Sequence, residues 1–236
     1  FLLLITAYLI VAVTVFNTKP ADQTCKGMEL IINDSIDHGF ITQKEVLRLL
    51  NSKKLSPIGK KMGDINTRLL EDELSKHPLI ENVECYRTPG RKIGIEVTQR
   101  LPLLRVMAAN GDNYYIDSKG KVMPIPNSSA HVAVVTGSVD RDFATKELYK
   151  LGIFLQNHPL WEAQIEQINV TPAKELELVP RVGEHIIFLG KPGDYEEKFE
   201  RLKIFYKKGL NQVGWNKYSR ISLEFSNQII CTKKEK

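Results

Sequence analysis

The first sixteen residues, FLLLITAYLIVAVTVF, carry no charge, and all of them but Thr6 and Thr14 are apolar. As a helix, a run of that length spans about 24 Å, against about 30 Å of bilayer hydrocarbon. Such a run anchors a chain in a membrane, is removed as a signal peptide, or is buried as a core helix. Asn17-Thr18-Lys19-Pro20, which follows, lacks the small residues of a signal cleavage site. Asp22-Gln23-Thr24 before Cys25 is wrong for a lipoprotein box. The anchor reading is therefore preferred, with the cleaved signal and the core helix as alternatives. The run starts at Phe1 and is short for a full span, so further apolar residues and a basic cytoplasmic tail are expected ahead of it. The rest of the chain then lies on one side of the membrane.

The remainder has the composition of a soluble protein. Its 33 Lys and Arg against 28 Asp and Glu give a net charge of +5. These cations are dispersed, and no basic stripe interleaved with aromatics appears, so nucleic acid is not an expected partner. Cys25, Cys85 and Cys231 lie far apart with no CxxC pair, which supports neither a zinc ribbon nor a thioredoxin-like site. An odd count leaves at least one thiol free or paired with another chain. A Cys25–Cys85 bridge stays open, because sequence does not give the geometry a disulfide needs.

Periodicity organises the rest. Met28 to Ile32 reads as a strand. Thr42-x-x-Glu45 is a capping box opening a helix with Val46, Leu49 and Leu50 inward. A second helix starts near Asn66 or Thr67, carries Leu70 and Leu74 on one face and ends before Pro78. Val83 to Tyr86 and Ile93 to Val97 read as strands around the turn Thr88-Pro89-Gly90-Arg91. Past Gln99-Arg100-Leu101-Pro102 come strands at Leu103 to Met107, Tyr114 to Asp117, Val122 to Met123 and Val132 to Thr136. Asp117-Ser118-Lys119-Gly120 makes a hairpin turn. A helix capped by Asp142 follows, with Leu148, Leu151 and Leu155 on one stripe and Pro159 beyond. Three strands come next, at Ile165 to Val170, Leu176 to Val179 and Ile186 to Leu189. Asp194-x-x-Glu197 reads as a second capping box, opening a long helix with Phe199, Leu202, Phe205 or Tyr206, and Leu210 inward. Ile221 to Phe225 and Ile229 to Cys231 form a closing hairpin across Ser226-Asn227-Gln228.

Catalytic signatures are missing from the sequence. There is no GxSxG, HExxH, P-loop or GxGxxG. His38, His77, His131, His158 and His185 fall in different elements, and no two share a helical face. No cofactor, metal site or catalytic residue is expected, although residues converging from distant positions keep a membrane-anchored cell-wall enzyme as an alternative.

The succession of an anchor, a β-α-α-β-β module and a β-rich domain with two helices and a closing hairpin is carried by local motifs. These are Asp64-Ile65-Asn66-Thr67 with Leu69-Leu70; His77-Pro78-Leu79-Ile80-Glu81-Asn82-Val83; Arg87 to Val97 followed by Gln99-Arg100-Leu101-Pro102-Leu103; Tyr115 to Val122; and Ile221 to Ile230. Together they resemble the FtsQ/DivIB family of bacterial cell-division proteins. The fold class implied is α+β, with a transmembrane helix at 1–16, a linker at 17–25, a POTRA domain at 26–99 and an FtsQ/DivIB-type β domain at 100–236.

The resemblance implies a non-enzymatic divisome scaffold in the inner (cytoplasmic) membrane at the septum. It would be single-pass, with its C-terminal domain periplasmic. Its partners would be FtsB/DivIC-like and FtsL-like bitopic coiled-coil proteins, with other divisome members recruited through the POTRA domain, and it would help regulate septal cell-wall synthesis. A POTRA-containing outer-membrane assembly or secretion factor is the alternative within the fold. Carried over by motif, the partner-binding residues are Ile221, Ser222, Leu223, Glu224, Phe225, Ser226, Ile229 and Ile230, on a strand edge open to augmentation. Ser222, Glu224, Phe225 and Gln228 depart from the residues usual in proteobacterial members. Glu224 replaces an Arg, so a basic or neutral partner residue is expected opposite it. Proline at Leu223 or a charge at Phe225 is expected to abolish capture while the domain stays folded.

Overall fold

The computed structural model describes residues 5–8, 11, 20–33, 39–126 and 128–235. Residues 5–8 and 11 are helical; the rest of the expected membrane helix, and residues 17–19 of the expected linker, lie outside the described residues. Among the described residues no helix is long and apolar enough to cross a membrane. The chain divides into two compact units, one ending at Arg100 and the other beginning at Leu101.

The first unit contains β1 (Gly27–Asn33), α1 (Gln43–Ser52), α2 (Thr67–Leu74), β2 (Ile80–Arg87) and β3 (Lys92–Gln99). The sheet order is β1-β3-β2, with β3 parallel to β1 and antiparallel to β2. The capping box forms in both directions: the Glu45 amide donates to Thr42 Oγ1 at 3.2 Å and the Thr42 amide donates to Glu45 Oε2 at 2.8 Å. Asn66 Oδ1 caps α2 by accepting the Leu69 amide at 3.1 Å. Val46, Leu50, Leu70 and Leu74 pack on Ile93, Ile95 and Val97, which alternate along β3. Gln99 is buried among them, and its Oε1 accepts the Ile41 amide at 2.7 Å, satisfying a polar pair ahead of α1. Cys25 and Cys85 are buried free thiols, which closes the disulfide question left by the sequence. Burial, with the Glu71 carboxylate nearby, pushes the Cys85 thiol up to about 12.

The second unit contains β4 (Pro102–Ala108), β5 (Asn113–Asp117), β6 (Val122–Met123) and β7 (Val134–Gly137). A first turn (Arg141–Phe143) and a π-helical turn (Ala144–Leu148) then lead into α3 (Tyr149–Gln156). Next come α4 (Pro159–Gln164), β8 (Ile165–Val170), β9 (Leu176–Pro180) and β10 (Ile186–Gly190). The helix α5 (Tyr195–Phe205) runs on through a second π turn (Tyr206–Leu210) and a last turn (Asn211–Val213). The chain closes with β11 (Tyr218–Ser222) and β12 (Ile230–Lys233). One nine-stranded sheet results, in the order β12-β11-β10-β9-β8-β7-β4-β5-β6.

Its register explains both faces. Val106, Val135, Ile168, Leu178, Ile187, Ile221 and Cys231 are successive cross-strand partners. This apolar row faces the helices, joining a core with Leu148, Leu151, Leu155, Trp161, Phe199, Leu202, Tyr206 and Leu210. The neighbouring row, Met107, Thr136, Asn169, Glu177, Phe188, Ser222 and Ile230, points the other way, as the pleat requires. It carries a polar ladder in which Asn169 donates to Glu177 at 2.9 Å and Arg220 pairs with Glu177 at 2.7 Å.

Four expectations change. The helix before α3 is capped by Asp140, whose Oδ1 accepts the Phe143 amide at 2.8 Å; Asp142 sits inside the first turn and pairs with Lys146 at 2.7 Å. Asp194 makes no side-chain cap, because Gly193 and Asp194 both take positive φ (122° and 53°) to turn the chain out of β10. Lys198 on α5 holds that turn instead, its Nζ donating to the Lys191 carbonyl at 3.0 Å. Pro159 begins a helix rather than only ending one, as Pro does well at a first helical position. The closing hairpin is wider than expected: β11 stops at Ser222, and residues 223–229 form a loop.

Candidate functional site

The end of the nine-stranded sheet at β12 is the candidate site. β12 pairs antiparallel with β11 through Tyr218–Lys233, Arg220–Thr232, Ile221–Cys231 and Ser222–Ile230. No strand among the described residues pairs with its other side. The backbone shows which groups look outward. The Leu223 amide donates to the Phe188 carbonyl of β10 at 2.8 Å, so by alternation Ser222 and Arg220 address β12. Their partners Ile230 and Thr232 therefore look inward, as does Lys234, whose amide reaches the Lys217 carbonyl at 3.2 Å. Cys231 and Lys233 are left to present amide and carbonyl to the open side, which is the template for a further strand.

The loop 223–229 is held from α5. The Arg201 guanidinium donates to the carbonyls of Leu223 (3.1 Å), Gln228 (3.3 Å) and Phe225. Its side chain is 20% exposed, and Glu197 one turn earlier lies 3.8 Å from its Nε. Beside this clamp a groove of about 440 Å³ is lined by Ile204, Phe205, Lys208 and Gly209 from the helix and Asn227 to Ile229 from the loop. Ile204 is 53% exposed. Gly209 lets the Phe205 ring lie against the helix backbone, since a Cβ there would sit 2.9 Å from it.

The structure separates the eight sequence-derived residues into two sets. Ile221 and Leu223 are fully buried and Ser222 is half-buried at the end of β11; they build the edge rather than face outward. Glu224, Phe225 and Ser226 are exposed on the loop, Ile229 lines the groove, and Ile230 is exposed on β12. Leu223 is not in an edge strand, so proline there would break the bond to Phe188 and disturb the core, contrary to the expectation of an intact domain. Sequence reasoning missed Arg201, Ile204, Lys208 and the outward backbone of Cys231 and Lys233. The one hint was Gly209 inside a long helical pattern, the mark of a close approach.

Ion pairs surround the edge. Lys234 of the chain after β12 pairs with Glu184, whose carboxyl is held below its usual range by that contact. Glu224 acts on the buried Lys198; burial lowers that ammonium's pKa and Asp194 and Glu224 oppose it. Lys208 and Lys233 have no ion pair among the described residues, so the open edge is basic. Under the β10–β11 end, His185 is 2% exposed and its Nε2 lies 2.8 Å from the Tyr206 hydroxyl, with Trp215 tilted against both rings. Among the described residues no group of three His, Cys, Asp or Glu side chains could hold a metal.

Comparison with known proteins matches the same two units. Residues 101–232 match the family model "FtsQ/DivIB, C-terminal related", and residues 23–98 match a POTRA-like domain model. Three proteins named cell division protein FtsQ are similar. The one from Geotalea daltonii is 25% identical over 187 residues, covering 74% of this chain and 66% of its own length. The one from Rhodothermus marinus is 25% identical over 196 residues, covering 73% and 67%. The one from Myxococcus fulvus is 27% identical over 171 residues, covering 67% and 57%. The aligned part thus spans about two thirds or less of these relatives.

Proposed function

The chain belongs to the FtsQ/DivIB family, and from that membership we propose that it is a non-catalytic scaffold of the bacterial division machinery which holds a partner's strand on β12. The partner is the short periplasmic segment of a bitopic coiled-coil division protein, FtsB/DivIC-like, with an FtsL-like protein in the same assembly. On this reading the segment 1–16 anchors the chain once in the inner membrane at the septum. Residues 26–99 form the POTRA domain, offered to other divisome members, residues 100–236 form the partner-binding domain, and the complex helps regulate septal wall synthesis.

The observation that carries the reading is the unpaired side of β12 beside an apolar groove. A strand added there gains main-chain hydrogen bonds from Cys231 and Lys233. Its alternate side chains fall toward the Ile204–Phe205–Ile229 groove and toward Ile230, which gives specificity. Phe225, Ser226 and Glu224 form the rim that the loop presents. Because Lys208 and Lys233 have no ion pair among the described residues, the partner segment carries acidic residues. The residue opposite Glu224 itself is basic or neutral on the same reading.

Amide hydrogen exchange on the chain, with and without the periplasmic part of its co-encoded coiled-coil partner, tests this. New protection at residues 230–233, with lesser protection at 225–229, is the expected result. A complex that protects other residues and leaves β12 exchanging as before would move the site elsewhere.

A further inference from the structure

The end of the first unit where the chain enters is the other candidate surface. The backbone ties three segments together there. The Cys25 amide donates to the Lys60 carbonyl at 2.8 Å, the Lys26 amide to the Arg91 carbonyl at 2.8 Å, and the Met62 amide to the Gln23 carbonyl at 2.8 Å, while Thr24 bridges Lys61. Segment 20–26, loop 53–61 and turn 88–91 therefore share one end. That end carries Lys26, Lys54, Lys60, Lys61 and Arg91. Lys26, Lys54, Lys60 and Arg91 have no hydrogen-bonded or ionic side-chain partner among the described residues, and Lys61 is 3.8 Å from Asp22. Asp22 and Asp64 are the exposed acids there, so cations are in excess. At the tip of loop 53–61, Ile58 is 54% exposed between Pro57 and the Gly59-Lys60-Lys61 turn. A groove of about 640 Å³ at the same end is lined by Ala21, Gln23, Met62, Gly63, Arg87 and Arg91 among others.

Covalent reach fixes how far this end lies from the apolar run. Phe16 and Pro20 are four residues apart, at most about 14 Å of extended chain. A headgroup layer takes up about 5–7 Å of that distance, which leaves Pro20, where the chain enters this basic end, within about one Debye length of the lipid surface. We propose that this end of the first unit, through Ile58, Lys60, Lys61, Lys26 and Arg91, docks on anionic phospholipid headgroups. Ile58 enters the interface, and the cations neutralise phosphates around it. The proposal rests on the reading of 1–16 as a membrane anchor.

The test uses the full 236-residue chain in nanodiscs of phosphatidylcholine alone or with phosphatidylglycerol at about 7:3. Co-elution with the discs reports the anchor independently of docking, and a chain that does not co-elute overturns both readings. Lysine modification followed by mass spectrometry reports the surface. At about 50 mM salt, Lys26, Lys60 and Lys61 are expected to react about threefold more slowly in the anionic discs, with the rate restored at about 0.5 M salt. Lys207 and Lys208 of the second unit should not change. Ile58→Asp, shown to be folded by circular dichroism, is expected to lose the protection. Equal rates in both discs, or an equal fall at Lys207 and Lys208, would overturn the proposal.

Discussion

At the scale of single residues, Arg201 has the most to hold together. One guanidinium supplies donors to three carbonyls of the loop 223–229, and hydrogen bonds to a charged donor are the stronger kind. Arg201→Ala should destabilise the second unit by about 2 kcal/mol in denaturant titration and raise exchange across 223–229. Arg201→Lys should recover little, because an ammonium cannot serve three carbonyls in a fixed plane. His185 sets a pH dependence. Burial holds its pKa below the ordinary 6.5, opposed weakly by a backbone contact from Trp215. The unfolded chain takes up a proton near pH 6.5 and the folded one only lower, so this stability is complete above pH 6.5 and is lost as pH falls below it. His77 in the first unit shifts the same way through burial, against the pull of Glu45. Denaturant midpoints between pH 7.5 and 5.5 should fall for the wild type, and His185→Gln should flatten the second unit's share. An unchanged slope in that variant would remove His185 as the cause.

At the scale of elements, two prolines distinguish building the edge from presenting it. Lys233→Pro deletes an amide that faces away from β11, so the domain should stay folded while partner capture falls by at least tenfold in titration. Leu223→Pro removes the amide bonded to Phe188 at a fully buried position and should cost about 3 kcal/mol. Capture as strong as wild type by a folded Lys233→Pro protein would rule out strand addition at β12.

Elements whose signal is local were legible in the sequence. The Thr42–Glu45 box and the Asn66 cap act within three residues, and the β3 alternation reports one buried face. Asp194 was misread because a capping pattern does not reveal the positive φ imposed by the chain's exit from β10. The two π turns are invisible in the sequence because Leu148-Leu151-Leu155, and Phe199-Leu202-Tyr206-Leu210 around the second, suit either winding. The hairpin reads too tight in the sequence because the loop after β11 is held by Arg201, more than twenty residues upstream. The groove was missed for the same reason, since it joins α5 to that loop and neither segment shows it alone.

At the scale of the whole molecule, two hydrophobic cores share no residue, one formed around Val46, Leu74 and Ile95 and the other around Leu151, Phe199 and Ile221. A chain of residues 101–235 should therefore unfold cooperatively on its own, checked by thermal circular dichroism; a non-cooperative melt would show that the second core depends on the first unit. The nine-stranded sheet has unequal ends. At one end β6 is two residues long, and beyond it the Ala130 amide reaches the Tyr115 hydroxyl of β5 at 3.5 Å. At the other, β12 runs four residues and no strand among the described residues pairs with its outer side. On the proposed reading, the domain is in polymer terms a chain with one reactive end, since the two-residue β6 offers too short a template at the other. A strand captured at β12 as proposed would then end sheet growth rather than pass it on. Stoichiometry at the division site would then be counted in chains, one captured segment for each.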